Sequence, residues 1–525
     1  MKIHKLLLTS LLTCGLCITA CEKEENLLDK SNPNSQTQGN FWKTESDAIN
    51  GINAVYANIQ NRTITLWEVF HYDMRSDEGY SQSPWTELAN VGKFVINDYN
   101  VPFVREMYTD VYRTIYRSNQ VLTFVPQMQI DEKLKNRIVA EAKFIRGHMY
   151  FKLVTLWGGV PIVTDIQEPT DRPAQATEAE VWAQIERDFT EAKADLWTRD
   201  EYTGNNVGRV TKEGATAYLG RVFLQQKKYT EAAAQFKEII DQTPGKFDLM
   251  PNFKDNFTEE FENNKESLFE IQYVNNNGKV SGFPIYDAAG GDETSERAQF
   301  FGVRTSDFPA PEVVGGWCDG QPTKWLLNQF LIEKDKDGNV DPRLQYTMYY
   351  KHPGELLFGK TYEERKIDEN QRFWKKYTNY YKSTEGYFSG INTREIRLAD
   401  VYLMYAEALN ELGRTPEAIP FANRVRQRSN MTELLLSMSQ GDFRERLRQD
   451  RVLELAGESK RFLDMKRYGI LGPELAGPNP DLPPNVADFD TEFKNFVKGK
   501  SEYLPIPLYE IDALGPGKIK QNPGY

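Results

Sequence analysis

Three stretches of the chain follow different rules of alternation between apolar and polar positions. From Phe41 to about Thr243, apolar residues recur every three to four positions, the mark of amphipathic helices. The clearest case runs from Leu134 to Leu156, where Ile138, Ala142, Ile145, Met149, Leu153 and Leu156 share one stripe. Gly158, Gly159 and Pro161 then supply a stop. Pro244 to about Gly390 is irregular, and Thr393 to Gly469 returns to the helical pattern. At the start, Lys2 and Lys5 precede an apolar or small run from Leu6 to Ala20, with no acidic residue before Glu22. That is the layout of a secretory signal, and its core is too short to span a bilayer comfortably.

A repeat runs through the helical parts. Gly220 is followed by Ala232 at +12, Phe236 at +16 and Pro244 at +24; Ala406 is followed by Ala418 at +12 and Ala422 at +16. This is the tetratricopeptide spacing, with small residues where two antiparallel helices touch and a proline closing the pair. Such units bury their faces only by stacking. The expected fold is therefore mostly α, with tetratricopeptide-like repeats supporting a loop-rich, aromatic-rich second subdomain. The predicted divisions are a signal peptide at 1–20, a polar tether at 21–40, a helical part at 41–250, an aromatic insert at 251–390, a further helical part at 391–470 and a loop-rich end at 471–525. The insert stands out in composition: 25 of the 140 residues from Pro251 to Gly390 are aromatic, against 40 in the other 385.

Charge and cysteine usage narrow the function. With 64 basic and 76 acidic residues the chain is a poor partner for nucleic acid. Three of its four cysteines lie in the first 21 residues, and only Cys21 follows an aliphatic-x-small triplet, Ile18-Thr19-Ala20. Cys21 is the expected lipidated first residue of the mature protein, with Cys14 and Cys17 discarded. An acyl anchor gains about 0.8 kcal/mol per buried methylene and holds a soluble body on a membrane without a spanning helix. Only Cys318 would then remain, so no disulfide framework is expected.

Motifs for catalysis are missing from the sequence: there is no G-x-S-x-G, HExxH or P-loop, and the four histidines show no metal spacing. His148 reads as a satisfied residue of an amphipathic helix. Glu454 and Glu458 share a helix face with Arg451, Arg461 and Arg467 at helical spacing, which reads as salt-bridge scaffolding. Asp335, Asp337, Gly338 and Asp341 imitate the start of a calcium loop, but Leu344 stands where the bidentate carboxylate belongs, so an Asp-Gly turn is expected. No cofactor is assigned, and a structural calcium elsewhere in the loops is left without residues.

Taken together, the lipoprotein start, "FWKTESDAINGINAVYANI", "AEAKFIRGHMYFKLVTLWGGVPIV", "RLADVYLMYAEALNELG", "RVLELAGESKRFLDMKRYG" and the ending "YLPIPLYEIDALGPGKIKQNPGY" resemble the SusD/RagB family of outer-membrane nutrient-binding lipoproteins, over essentially the whole chain. The resemblance implies a non-catalytic, cell-surface protein that captures glycans and sits as a lid on a SusC-like TonB-dependent transporter. The run Glu22 to Glu25 looks like the acidic export signal of such lipoproteins. Sugar rings stack their C–H faces on aromatic side chains, so the expected site is an aromatic arc with a polar rim. Trp85 is the first choice, with Tyr80, Arg75 and Asp77 beside it. Arg75, Ser76, Asp77 and Glu78 also read as a structural ion-pair group. The second part of the arc is expected between Gly282 and Trp317, from Tyr286, Phe301 and Trp317, although Trp317 lies in "GGWCDGQPT", which reads as a structural block. Two other readings fit parts of the pattern: a peptide-capturing lid of the same family, and a periplasmic tetratricopeptide scaffold.

Overall fold

The computed structural model describes residues 41–275, 293–303, 316–382, 389–472 and 493–525, with positions 82 and 169 excepted. The signal, Cys21 and the tether lie outside these residues.

Among the described residues, eight α-helices build the first half: α1 (Glu45–Ile59), α2 (Arg62–Tyr72), α3 (Thr86–Gly92), α4 (Pro102–Phe124), α5 (Glu132–Trp157), α6 (Glu178–Asp195), α7 (Lys212–Gln225) and α8 (Tyr229–Ile240). Their ends are set by local chemistry. In α5 the Asp131 side chain accepts from the Leu134 amide at 2.8 Å, and Gly158, at φ +72°, ends the helix where the periodicity breaks. Thr44 and Thr177 form capping boxes with Asp47 and Glu180 at the starts of α1 and α6.

Short connections make successive helices spatial neighbours. The stack runs α1 on α4, α4 on α5, then in order to α8, which packs on α11 (Leu398–Glu411); α11 in turn packs on α12 (Thr415–Arg428) and α13 (Gln440–Leu455). The repeat positions lie where helices touch. A Cβ added at Gly220 would stand 2.5 Å from the Phe236 ring, and Ala232, Ala406, Ala418 and Ala422 are fully buried. One long core runs through this stack.

The intervening segment is held by small sheets rather than by a core of its own size. Strand β2 (Ser267–Ile271) pairs antiparallel with β6 (Thr393–Arg397), so the two ends of the insert are closed together directly before α11. The sequence pattern placed residues 393–397 in a helix; they are this strand, because burial on both faces favours pairing with β2. Strand β1 (Gly79–Ser81) pairs with β3 (Gly320–Pro322), and β4 (Met348–Tyr349) with β5 (Phe373–Trp374). Thus a loop of the first half is stitched to the insert through β1. The short helices α9 (Arg297–Phe301) and α10 (Lys324–Ile332) flank β3, and α14 (Arg461–Tyr468) follows α13.

Charge is buried at the base of the insert. Arg397 donates to Glu266 (2.8 Å), Glu454 (2.6 Å) and Glu458 (2.8 and 2.7 Å). Arg343 and Arg428 also reach Glu454, and Lys376 reaches Glu458 at 2.9 Å. The surrounding cations hold both carboxylates below their ordinary range despite burial. The scaffolding role expected of these glutamates stands, but with other partners. Arg451 pairs with Asp400 and Asp464, Arg461 with Asp77, and Arg467 with Glu407, because α13 turns Glu454 toward the insert and Arg451 toward α11.

Candidate functional site

Trp67 and Phe70 of α2 sit on a helix whose residues after Arg62 are all buried. Around Trp67, four rings gather at edge-on geometry: Phe70 at 6.1 Å, Trp85 at 6.2 Å, Phe103 of α4 at 5.9 Å and Phe300 of α9 at 5.8 Å. Trp85 also meets Phe103 at 5.4 Å, and Phe300 meets Trp317 at 4.9 Å. Trp67, Phe103 and Phe300 are buried, whereas Trp85 and Trp317 are half-buried. Two rings 232 positions apart are therefore supported by one aromatic bed, and both are half-buried.

Each ring is positioned by backbone. Trp85 is the residue before α3, its amide donating to Ser83 Oγ at 3.1 Å, and exposed Thr86 and Glu87 follow it. The Trp317 amide donates to the Gln299 carbonyl at 2.6 Å, and the Asp319 amide to the Phe300 carbonyl at 2.7 Å, which locks residues 316–320 against α9. Ser81 Oγ donates to the Asp319 carbonyl at 3.0 Å, tying the Trp85 loop to the Trp317 loop. Gly320 is required there by close approach: an added Cβ would lie 2.4 Å from the Phe301 ring.

Four other expected ligand contacts are structural instead. Arg75 is 1% exposed; it donates to the Ser501 carbonyl at 2.6 Å and lies 4.6 Å over the Phe462 ring, and burial lowers its pKa to about 10. Asp77 is 2% exposed and accepts two bonds from Arg461, at 2.7 and 2.5 Å. Tyr80 is buried in β1 with its hydroxyl on Gln321 Oε1 at 2.7 Å. Phe301 is buried against Phe70 at 5.2 Å. Sequence proximity to Trp85 suggested an exposed polar rim; long-range partners from α14, β3 and residue 501 take those side chains inward. Tyr286 lies outside the described residues, as do Phe283 and Phe308.

Sequence reasoning missed Trp67 and Phe103, the buried supports of the site. The legible signal was the density of large apolar residues in "TITLWEVFHY", six of ten positions, which suits a buried helix. His148 is buried as expected of a helix residue, but neither ring nitrogen has a hydrogen-bond partner. Its ring is packed by Phe144, Tyr218 and Phe269, and burial lowers its pKa to about 3. The Asp335 turn is formed as an Asx-type turn, the Asp337 and Asn339 amides both donating to Asp335 Oδ1, with Gly338 at φ +84°. Elsewhere, a polar cleft of about 180 Å³ between α11, α13 and α14 is lined by Glu407, Glu411, Arg444 and Arg467, which pair with one another across it.

Comparison with known proteins places the chain among relatives over almost its full length. Residues 265–525 match the model described as "SusD family", and residues 26–224 match "Starch-binding associating with outer membrane". SusD-like protein P2 of Formosa agariphila is 29% identical, with 100% of both chains covered. A SusD superfamily protein from Bacteroides vulgatus shares the fold at a TM-score of 0.78 and 26% identity, over 92% of this chain and 100% of that one. A solved structure described as a laminarin binding SusD-like protein matches at a TM-score of 0.72 and 28% identity, again over 92% and 100%.

Proposed function

Because this chain belongs to the SusD family, we propose that it is a glycan-capturing lipoprotein of the outer membrane, anchored through Cys21 and handing oligosaccharides to a SusC-like TonB-dependent transporter. The observation that carries the glycan reading is the pair of half-buried tryptophans, Trp85 and Trp317, standing on one rigid aromatic bed. Rings fixed from beneath lose little freedom when a flat ligand stacks on them, so stacking on such a surface is pre-organised. Tyr286, outside the described residues, is proposed from the sequence alone as a third ring. Glu454 and Glu458, the carboxylates that share helical spacing in the sequence, are committed to buried ion pairs and serve as scaffolding.

The test is calorimetry of the detergent-solubilised full chain against laminarin, starch, xylan and host glycans. Selective heat with one glycan class supports the reading and names the ligand. Silence across the panel with a folded protein would defeat it and turn attention to peptide pools, the ligand of the alternative lid. For the anchor, Cys21→Ser should abolish acylation and release the protein from the membrane fraction; unchanged membrane retention would overturn that assignment.

A further inference from the structure

The insert carries a second group of incompletely buried rings that the tryptophan pair does not use. Tyr350 and His352 face each other at 4.5 Å, tilted by 37°. Both nitrogens of His352 meet acceptors, the Pro353 carbonyl and Glu355 Oε2, each at 3.0 Å. Glu355 accepts two bonds from Lys375 Nζ, at 3.0 and 3.2 Å, and that ammonium lies 4.2 Å from the Tyr349 ring centre and 6.0 Å from that of Tyr380. Tyr380 in turn meets Tyr381 edge-on at 5.7 Å. Tyr349 is buried, Tyr350, His352 and Tyr380 are half-buried, and Tyr381 is 40% exposed.

This arrangement has the parts needed for a neutral, hydroxylated ligand. The rings offer apolar faces, and the carboxylate and ammonium at their centre, both largely buried, neutralise each other and hold the rings in place. The group also shares a frame with the tryptophan site. Tyr350 directly follows β4 and Lys375 directly follows β5; Arg372, directly before β5, donates from Nε to the Pro322 carbonyl of β3 at 3.0 Å, and β3 pairs with β1, which leads to Trp85. Tyr380 packs on an apolar cluster that includes Cys318, the neighbour of Trp317.

We propose that Tyr350, His352 and Tyr380, with Glu355 and Lys375 at their centre, form a second saccharide-stacking site that grips the same glycan chain as Trp85 and Trp317. The inference rests on the glycan reading above. Two weak sites joined by one ligand gain affinity through effective concentration without any new contact. The site would therefore select long glycans over short ones.

The experiment is calorimetry on the full chain in detergent, with laminaribiose, laminarihexaose and laminarin, and with maltose, maltohexaose and starch. In the series the wild type binds, Tyr350→Ala combined with Tyr380→Ala should weaken polymer and hexasaccharide binding by tenfold or more. Disaccharide stoichiometry should fall from two to one. The Tyr350→Phe and Tyr380→Phe pair keeps the faces and should retain most of the polymer affinity, which separates lost stacking from lost folding. His352→Ala, which removes only one ring, should give a smaller loss in the same direction. Unchanged polymer affinity in the alanine pair, alongside loss in Trp85→Ala, would overturn the second site and leave the glycan reading standing. A wild type that binds none of the six probes or the wider panel would overturn both.

Discussion

Single side chains in this protein are governed by what lies behind them. Trp85 meets Trp67 and Phe103 edge-on, and each such pair contributes about 0.5–1.5 kcal/mol beyond area burial. Trp85→Ala should therefore lower glycan affinity at least tenfold while the protein stays folded, with a modest loss of thermal midpoint; paired calorimetry and melting would show both. Unchanged affinity would remove Trp85 from the site. His148 and His71 make a separate prediction. Burial lowers each pKa to about 3, whereas an unfolded histidine takes up its proton near pH 6.5. Between those values the unfolded chain binds more protons, so their contribution to stability is complete above about pH 6.5 and is lost as pH falls toward 3. Asp73, raised to about 6 by burial, and the raised Glu78 act in the opposite direction. The difference between wild type and His148→Phe isolates the histidine. Denaturant midpoints at pH 4 to 7 should show the variant losing less stability on acidification, by up to about 1.4 kcal/mol per pH unit.

Elements pack here through small residues that let helices approach. The α7–α8 pair depends on Gly220, whose absent side chain is replaced by the Phe236 ring. Gly220→Val should cost about 1–3 kcal/mol by overpacking and β-branching in a helix, seen as a lower urea midpoint. Adding Phe236→Leu should recover part of the loss, since the two residues occupy one space. Helix positions of this kind were legible before the structure: the stripe from Leu134 to Leu156 and the stop at Gly158 reappear as helix and cap, and the +16 spacing from Gly220 to Phe236 as a contact. The strand at 393–397 was not, because Thr-Arg-Glu-Ile-Arg carries a single apolar residue and no period-2 alternation; its polar side chains are buried only once β2 and α13 are beside it.

The whole molecule is held together where its distant segments exchange charge. Arg397, on β6, reaches Glu266 beside β2, Glu454 in the last turn of α13 and Glu458 just beyond that helix, so one guanidinium joins the base of the insert to the last helices. Arg397→Ala would take one of three guanidiniums from Glu454 and leave Glu458 with Lys376 alone, and breaking this buried cluster should cost about 3–5 kcal/mol. The expected outcome is a large drop in thermal midpoint and, if the insert loosens first, a protease cut within residues 251–390 before the helical stack is lost. The Arg75, Asp77 and Tyr80 side chains follow the same logic at the site itself: residue 501, Arg461 and Gln321 draw them inward.

Local information thus determined what was local. The signal layout, Cys21, the helical periodicity, the repeat spacing and the family blocks are all readable from neighbouring residues, because helix propensity, capping and motif spacing act over a few positions. Which aromatic rings emerge and which are buried was decided only by tertiary structure. Trp85 and Phe301 look alike as residues of aromatic-rich stretches, yet one is half-buried and the other buried. Exposure depends on partners more than 200 positions away, brought together by β1 and β3, and no short-range pattern encodes that meeting.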